Sequence, residues 1–210
     1  MLAVVIVTGA LGLLAARLWF SLQSPADVAL ALAMVASGYL VADALTGLVH
    51  WFCDTFFDET TPLLGQALIA PFREHHRDPL LMTRHGFLEL TGSSFRALAP
   101  LLGLYLWQFD HARTGLDAFV FAVAAGGAAT NLLHRWAHDP DPPGAAKALH
   151  FVGLVLTPQR HARHHAPPYA AAYCVTSGWL NPLFERWRVW TRAEAALVAI
   201  GLPVSRGDRD

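Results

Sequence analysis

VALALAMVASGYLVADALTGLVHWFCD, residues Val28–Asp54, is apolar for a full bilayer thickness and closes on a histidine and an aspartate. A helix crosses the hydrocarbon core with about 20 mostly apolar residues. Here Asp43 is the one charge before His50. Pro25, just ahead, suits the start of a helix. The stretch reads as a transmembrane helix from about Val28 to Phe52. His50 and Asp54, one turn apart, share a face at its end.

Three further apolar runs flank it, at about Leu2–Leu22, Ser94–Phe109 and Leu116–Leu133. The first lacks a basic leader and carries Arg17 in its apolar part, a poor fit to a cleaved signal peptide. Arg96 is placed to snorkel at one end of the third. The third and fourth are short and rich in glycine and alanine. Apolar residues make up 54% and charged residues 15% of the 210 positions. Soluble domains hold about 45–50% and about 25%, so the excess points to lipid. The net charge of −1 offers no basic surface, and no nucleic-acid partner is expected. Cys53 and Cys174 lie beside apolar runs and read as buried thiols. The expected fold is all-α: one integral membrane domain over residues 1–210, a bundle of about four transmembrane helices.

With four spans, both termini share a side with segments 53–93 and 134–210. Of the fifteen Lys and Arg, twelve lie in those segments and Arg96 snorkels to the same side from the third run; only Arg17 and Arg113 fall elsewhere. Basic excess marks the cytoplasmic side, so termini and long polar segments are expected there. Trp19, Phe20 and Trp107 suit an outer aromatic belt, and Trp51, Phe52 and Trp136 an inner one. Ala145–Leu156 and Trp179–Trp190 are too short or too basic to cross and read as helices lying on the inner interface.

Eleven histidines against one lysine is the unusual feature. Nine of them, His50, His75, His76, His85, His134, His138, His161, His164 and His165, map to the expected cytoplasmic side. His134 and His138 share a helix face, which Asn131 extends by a turn; His161, His164 and His165 follow a similar one-face spacing. Adjacent His75 and His76 diverge by about 100° on a helix. A lone HxxxH is ordinarily a satisfied polar pair, and His111 and His150 keep that bland reading. The whole set points to metal, and its size exceeds what one four-coordinate ion uses. Two ions with several nitrogen ligands each fit the count. Imidazole suits zinc, copper, iron and nickel. Asp54 reads as a group orienting His50. Asp43, costly inside a span, either lines a substrate path or bonds a neighbouring helix.

The segments DALTGLVHWFCD (Asp43–Asp54), PFREHHRDPLLMTRHGF (Pro71–Phe87), TNLLHRWAH (Thr130–His138) and HARHHAPPYAAAYCVTSGWLN (His161–Asn181) together resemble the plasmanylethanolamine desaturase family of lipid desaturases. The resemblance covers about residues 40–192. It implies an O2-dependent, non-haem di-iron enzyme acting on a membrane phospholipid or ether lipid. It implies that His50, His75, His76, His134, His138, His161, His164 and His165 hold the two iron ions, with His85 where the family has its own histidine. It further implies vinyl-ether formation in plasmalogen synthesis, with electrons from a separate cytochrome b5 or ferredoxin-type donor. Three departures stand apart from that set: Arg84-His85-Gly86-Phe87 replaces Arg-His-Asp-Phe, Thr91-Gly92-Ser93-Ser94 replaces an Asn-Gly-Asp-Asn-like stretch, and Tyr169 stands where animal members have histidine. They bear on the lipid head group and the bond desaturated. Acyl-chain desaturation and lipid hydroxylation are the alternatives, and a zinc hydrolase or a metal or haem sensor are more remote ones.

Overall fold

A computed structural model describes residues 1–206. It contains α1 (Leu2–Ser21), α2 (Pro25–Thr55), α3 (Ala70–Arg77), α4 (Leu81–Arg84), α5 (Phe87–Gln108), α6 (Thr114–His138), α7 (Gly144–Phe151), α8 (Pro158–His161), α9 (Asn181–Arg186) and α10 (Val189–Ala199). A π-helical turn, Gly65–Ile69, leads into α3. Among the described residues the only β-type pairing is an isolated bridge between Phe56 and Val204. The chain divides into two compact units, residues 1–43 with 86–132, and 44–85 with 133 onward.

Among the described residues three helices, α1, α2 and α6, are long and apolar enough to cross a membrane. They match three of the four expected runs, and α2 extends beyond its run at both ends. Helix α5 covers the third run but starts seven residues earlier, at Phe87 rather than Ser94. Its 22 residues are long enough, yet Glu89, Arg96 and the Thr91–Ser94 quartet dilute its apolar character. A four-span count therefore does not follow from this structure.

In the first unit, Val7, Ala10 and Leu14 of α1 pack with Phe95, Ala99 and Leu102 of α5 and with Ala124 and Ala128 of α6. Small residues let helices approach where lipid supplies no hydrophobic drive between them. Gly38 shows the limit: a Cβ there would lie 2.5 Å from the carbonyl oxygen of Phe119. Ser24 and Asp27 cap α2, the Asp27 amide donating to Ser24 Oγ (3.2 Å) and the Gln23 amide to Asp27 Oδ2 (3.2 Å). Arg17 donates to the carbonyls of Phe109 (2.7 Å) and Asp110 (3.1 Å), satisfying the open end of α5.

The second unit is built on aromatic packing. Trp51, Phe56, Tyr173, Cys174 and Trp190 form its core, with the Trp51 and Trp190 rings stacked 5.5 Å apart. Trp51 was expected in an inner aromatic belt; it is 2% exposed because the C-terminal segment folds over it. Trp19, Phe20 and Trp107 are exposed, as a belt requires. Asn181 clamps Cys174 from both sides: the Cys174 amide donates to Asn181 Oδ1 (2.9 Å) and Asn181 Nδ2 donates to the Cys174 carbonyl (3.0 Å). The buried Arg73 guanidinium donates to the carbonyls of Phe57 and Ser205, tying α3 to the end of α2 and to the C-terminal segment.

Candidate metal centre

Four pieces of the second unit supply histidines. The last turns of α2 carry His50, α3 carries His75 and His76, the end of α6 carries His134 and His138, and α8 with its following turn carries His161, His164 and His165. Thr157 caps α8, its Oγ1 accepting from the Arg160 amide at 3.3 Å. The chain stays coiled past α8, where the His164 amide donates to the His161 carbonyl at 2.8 Å. That local coil keeps these three imidazoles on one side.

The side chains form two groups, each with ligand atoms within 4.8 Å of one another. One holds His75, His134, His138, His161 and His165; the other holds His50, His75, His76 and His164, so His75 belongs to both. In the first, the Nε2 atoms of His134, His138 and His161 make a triangle with sides of 2.8, 3.2 and 2.8 Å. His165 Nε2 lies 3.0 Å from His161 Nε2. In the second, Asp54 Oδ2 sits 3.1 Å from His76 Nε2 and 3.4 Å from the Nε2 atoms of both His50 and His164.

Several features of this arrangement suit cations. A neutral imidazole has one N–H and one acceptor nitrogen, so three mutually adjacent Nε2 atoms cannot all be satisfied by hydrogen bonds among themselves. The Nε2 atoms of His50 and His75 are buried and make no hydrogen bond among the described residues, an arrangement that calls for an explanation in a native interior. Metal–imidazole bonds of about 2.0–2.1 Å place neighbouring ligand nitrogens about 3 Å apart at right angles, close to the spacings seen. Burial, followed by the neighbouring imidazoles, drives the pKa values of His75 and His161 well below 6.5. The same causes push His165 down to about 2. These rings are neutral at pH 7, the form that ligates metal.

Ring orientation comes from the backbone. His50 Nδ1 faces the Tyr173 carbonyl at 3.2 Å, and His164 Nδ1 faces the Ala171 carbonyl at 2.9 Å. A carbonyl only accepts, so each Nδ1 carries the proton and each Nε2 presents its lone pair inward. Tyr173 also packs its ring on both, with centroids 5.8 Å from His50 and 5.2 Å from His164. These carbonyls, and Arg73 holding α3, went unseen in the sequence. A carbonyl is common to every residue, so composition carries no trace of its role.

Not every candidate joins the groups. His85 stands between α4 and α5, half-buried, with its carbonyl accepting from Arg135 at 3.2 Å. Asn131 Nδ2 is committed to α5, donating to the Leu90 carbonyl (2.8 Å) and Ser94 Oγ (3.3 Å). Asp43 is buried in the first unit. His111 is exposed, and His150 is half-buried at the end of α7.

A family model described as a lipid desaturase domain matches residues 39–205. The chain belongs to the lipid desaturase domain family. It is 40% identical over 178 residues to a plasmanylethanolamine desaturase of Myxococcus xanthus, covering 77% of this chain and 61% of that one. It is 38% identical over 168 residues to plasmanylethanolamine desaturase 1 of Mus musculus, covering 76% and 62%. A chloroplastic fatty acid desaturase 4 of Arabidopsis thaliana is 32% identical over 162 residues, covering 75% and 49%. This lipid desaturase domain thus spans about three fifths of the length of the first two relatives. No solved structure matches it significantly. All eight grouped histidines fall inside the matched residues.

Proposed function

We propose that the protein desaturates a membrane lipid chain, using O2 and two iron ions held by His50, His75, His76, His134, His138, His161, His164 and His165. The observation that carries this reading is the pair of buried imidazole groups sharing His75, in a chain with three helices able to span a bilayer. Iron with nitrogen ligands, when bound, supplies O2 activation strong enough to remove hydrogen from an unactivated CH2 group. The donor set suits it: imidazole is a good ligand for iron, and among the described residues Asp54 is the one carboxylate placed among the nitrogens of the second group. The residues' work is positioning. The Tyr173 and Ala171 carbonyls hold the tautomers of His50 and His164, and the aromatic core around Tyr173 keeps water from that side.

With relatives named for plasmanylethanolamine, the favoured substrate is a 1-O-alkyl ethanolamine phospholipid. Its C1′ and C2′ each lose one hydrogen to give a vinyl ether. O2 is reduced to two waters, with two electrons and two protons from the lipid, two electrons from an external donor of cytochrome b5 or ferredoxin type, and two protons from solvent. The 32% identity to a plant fatty acid desaturase supports acyl-chain desaturation as the second reading. The Lys and Arg distribution supports a cytoplasmic location for the site and both termini.

Lipid mass spectrometry tests the proposal in a host fed alkylglycerol and expressing either wild type or His164→Ala. Vinyl ether should appear with wild type alone, and purified wild type should carry about two iron per chain. Iron-loaded wild type that leaves ether lipids unchanged excludes that substrate. A new acyl double bond would then select the second reading, and zinc in place of iron would overturn the oxidative chemistry.

A further inference from the structure

The turn that turns His161 and His164 inward carries Arg160 and Arg163, three apart and both exposed. These two line a cavity of about 360 Å³ with Trp179, Gly178, Asn181 and Pro182. Among the described residues no carboxylate lines it. Arg163 pairs at 2.5 Å with Glu185 outside the lining. Arg160 uses one N–H on the Ser177 carbonyl, at 3.4 Å. A guanidinium has five N–H donors in a fork that matches phosphate oxygens, so donors remain on both.

The rim shows where such an anion would come from. Trp179 Nε1 donates to the Gly153 carbonyl at 2.7 Å. That bond fixes the cavity beside a strongly exposed apolar segment: Phe151 is 93% exposed, Val152 61% and Leu154 45%. Trp179 itself is 41% exposed. Exposed apolar side chains, an amphipathic tryptophan and arginines together are the layering of a membrane interface, with the chains in the acyl region and the guanidiniums at phosphate depth.

We propose that Arg160 and Arg163 bind the phosphodiester of a membrane glycerophospholipid and hold its head group next to the histidine site. This rests on the lipid-desaturase reading for what the bound lipid is used for. The link is covalent and short: each arginine directly precedes a histidine of the metal groups, on a turn capped by Thr157. An ethanolamine and a glycerol head group share the phosphodiester, so the arginines select phospholipid as a class and leave the alcohol to other residues.

The test is lipid binding to the metal-loaded full chain in detergent micelles. The probes are a short-chain phosphatidylethanolamine, a short-chain diacylglycerol lacking phosphate, and inorganic phosphate. Phosphatidylethanolamine should bind most tightly, with inorganic phosphate competing weakly at the same site. Arg160→Gln/Arg163→Gln should weaken lipid binding by about tenfold or more, from the loss of charge-assisted hydrogen bonds, while metal content stays at the wild-type level. Arg160→Lys/Arg163→Lys should recover part of the loss. Equal lipid binding by the double glutamine variant and wild type would overturn the proposal, as would diacylglycerol binding as tightly as phospholipid. Inorganic phosphate binding as tightly as the lipid would make this a free-anion site and overturn the lipid assignment. His164→Ala should still bind lipid. Arginine-dependent binding by a protein that desaturates nothing would sink the desaturase reading and leave the head-group site standing.

Discussion

Gly47→Ala should damage the proposed metal centre through a single methyl group. Gly47 lies three residues before His50 on α2, and a Cβ there would stand 2.6 Å from Cys174 Sγ and 3.1 Å from both the Cys174 amide nitrogen and Cα. Ordinary contact begins at 3.4 Å. A thiol can rotate away, but backbone cannot, and Cys174 is held from both sides by Asn181. The nitrogen that must give way shares a peptide unit with the Tyr173 carbonyl, the group that fixes His50 at 3.2 Å. Alanine adds about 1 kcal/mol of helix propensity, while overpacking a filled site costs about 1–3 kcal/mol. The net loss of stability is about 1 kcal/mol. The larger effect is on metal binding by the proposed ligand His50, because disturbing the hydrogen-bond partner of a metal-ligating histidine lowers affinity by about 10–100-fold. Metal titration of the stripped protein, followed optically with cobalt, would read this directly. Gly12→Ala is the control: its Cβ meets nothing within 4 Å, so it should bind metal as wild type does. Wild-type metal affinity in Gly47→Ala would refute the coupling between Cys174, the Tyr173 carbonyl and His50.

Asp54→Asn removes the carboxylate among three Nε2 atoms and should lower bound metal from the proposed two ions per chain to about one, measured by elemental analysis; an unchanged ratio would show that Asp54 is dispensable. Arg73→Met removes the donors to the half-buried Phe57 and Ser205 carbonyls and should cost about 1–3 kcal/mol, seen as a lower unfolding midpoint. His75, His161 and His165 titrate below 6.5 in the folded chain, so below pH 6.5 the unfolded chain binds more protons and folding loses stability. The metal-free protein should therefore unfold at lower temperature at pH 5.5 than at pH 7.5, and a flat profile would contradict burial of these rings as neutral groups.

The membrane character was legible because lipid imposes a linear requirement: a helix must stay apolar over a bilayer thickness, and α1, α2 and α6 show it in consecutive residues. The histidine spacings were equally readable, since i, i+3 and i, i+4 positions share a helix face regardless of context. Helix α5 was harder, because Glu89 and Arg96 blur its start in a local window while the backbone continues through them. Trp51 looked like an interfacial anchor because amphipathic rings suit both a membrane surface and an aromatic core.

Residue order alone established a helical membrane chain with a surplus of imidazoles beside the ends of two of its spans. Only the tertiary structure brought His134 within 2.8 Å of His161, 27 positions away, and His76 within 3.1 Å of His164, 88 positions away. It alone divided the imidazoles into two groups joined by His75, left His85 outside both, and supplied the carbonyls that aim His50 and His164. The physical reason is one of range. Hydropathy and helical periodicity act between neighbours along the chain, whereas a metal site is defined by the directions of a few lone pairs, set by chain reversals and backbone groups that every residue shares.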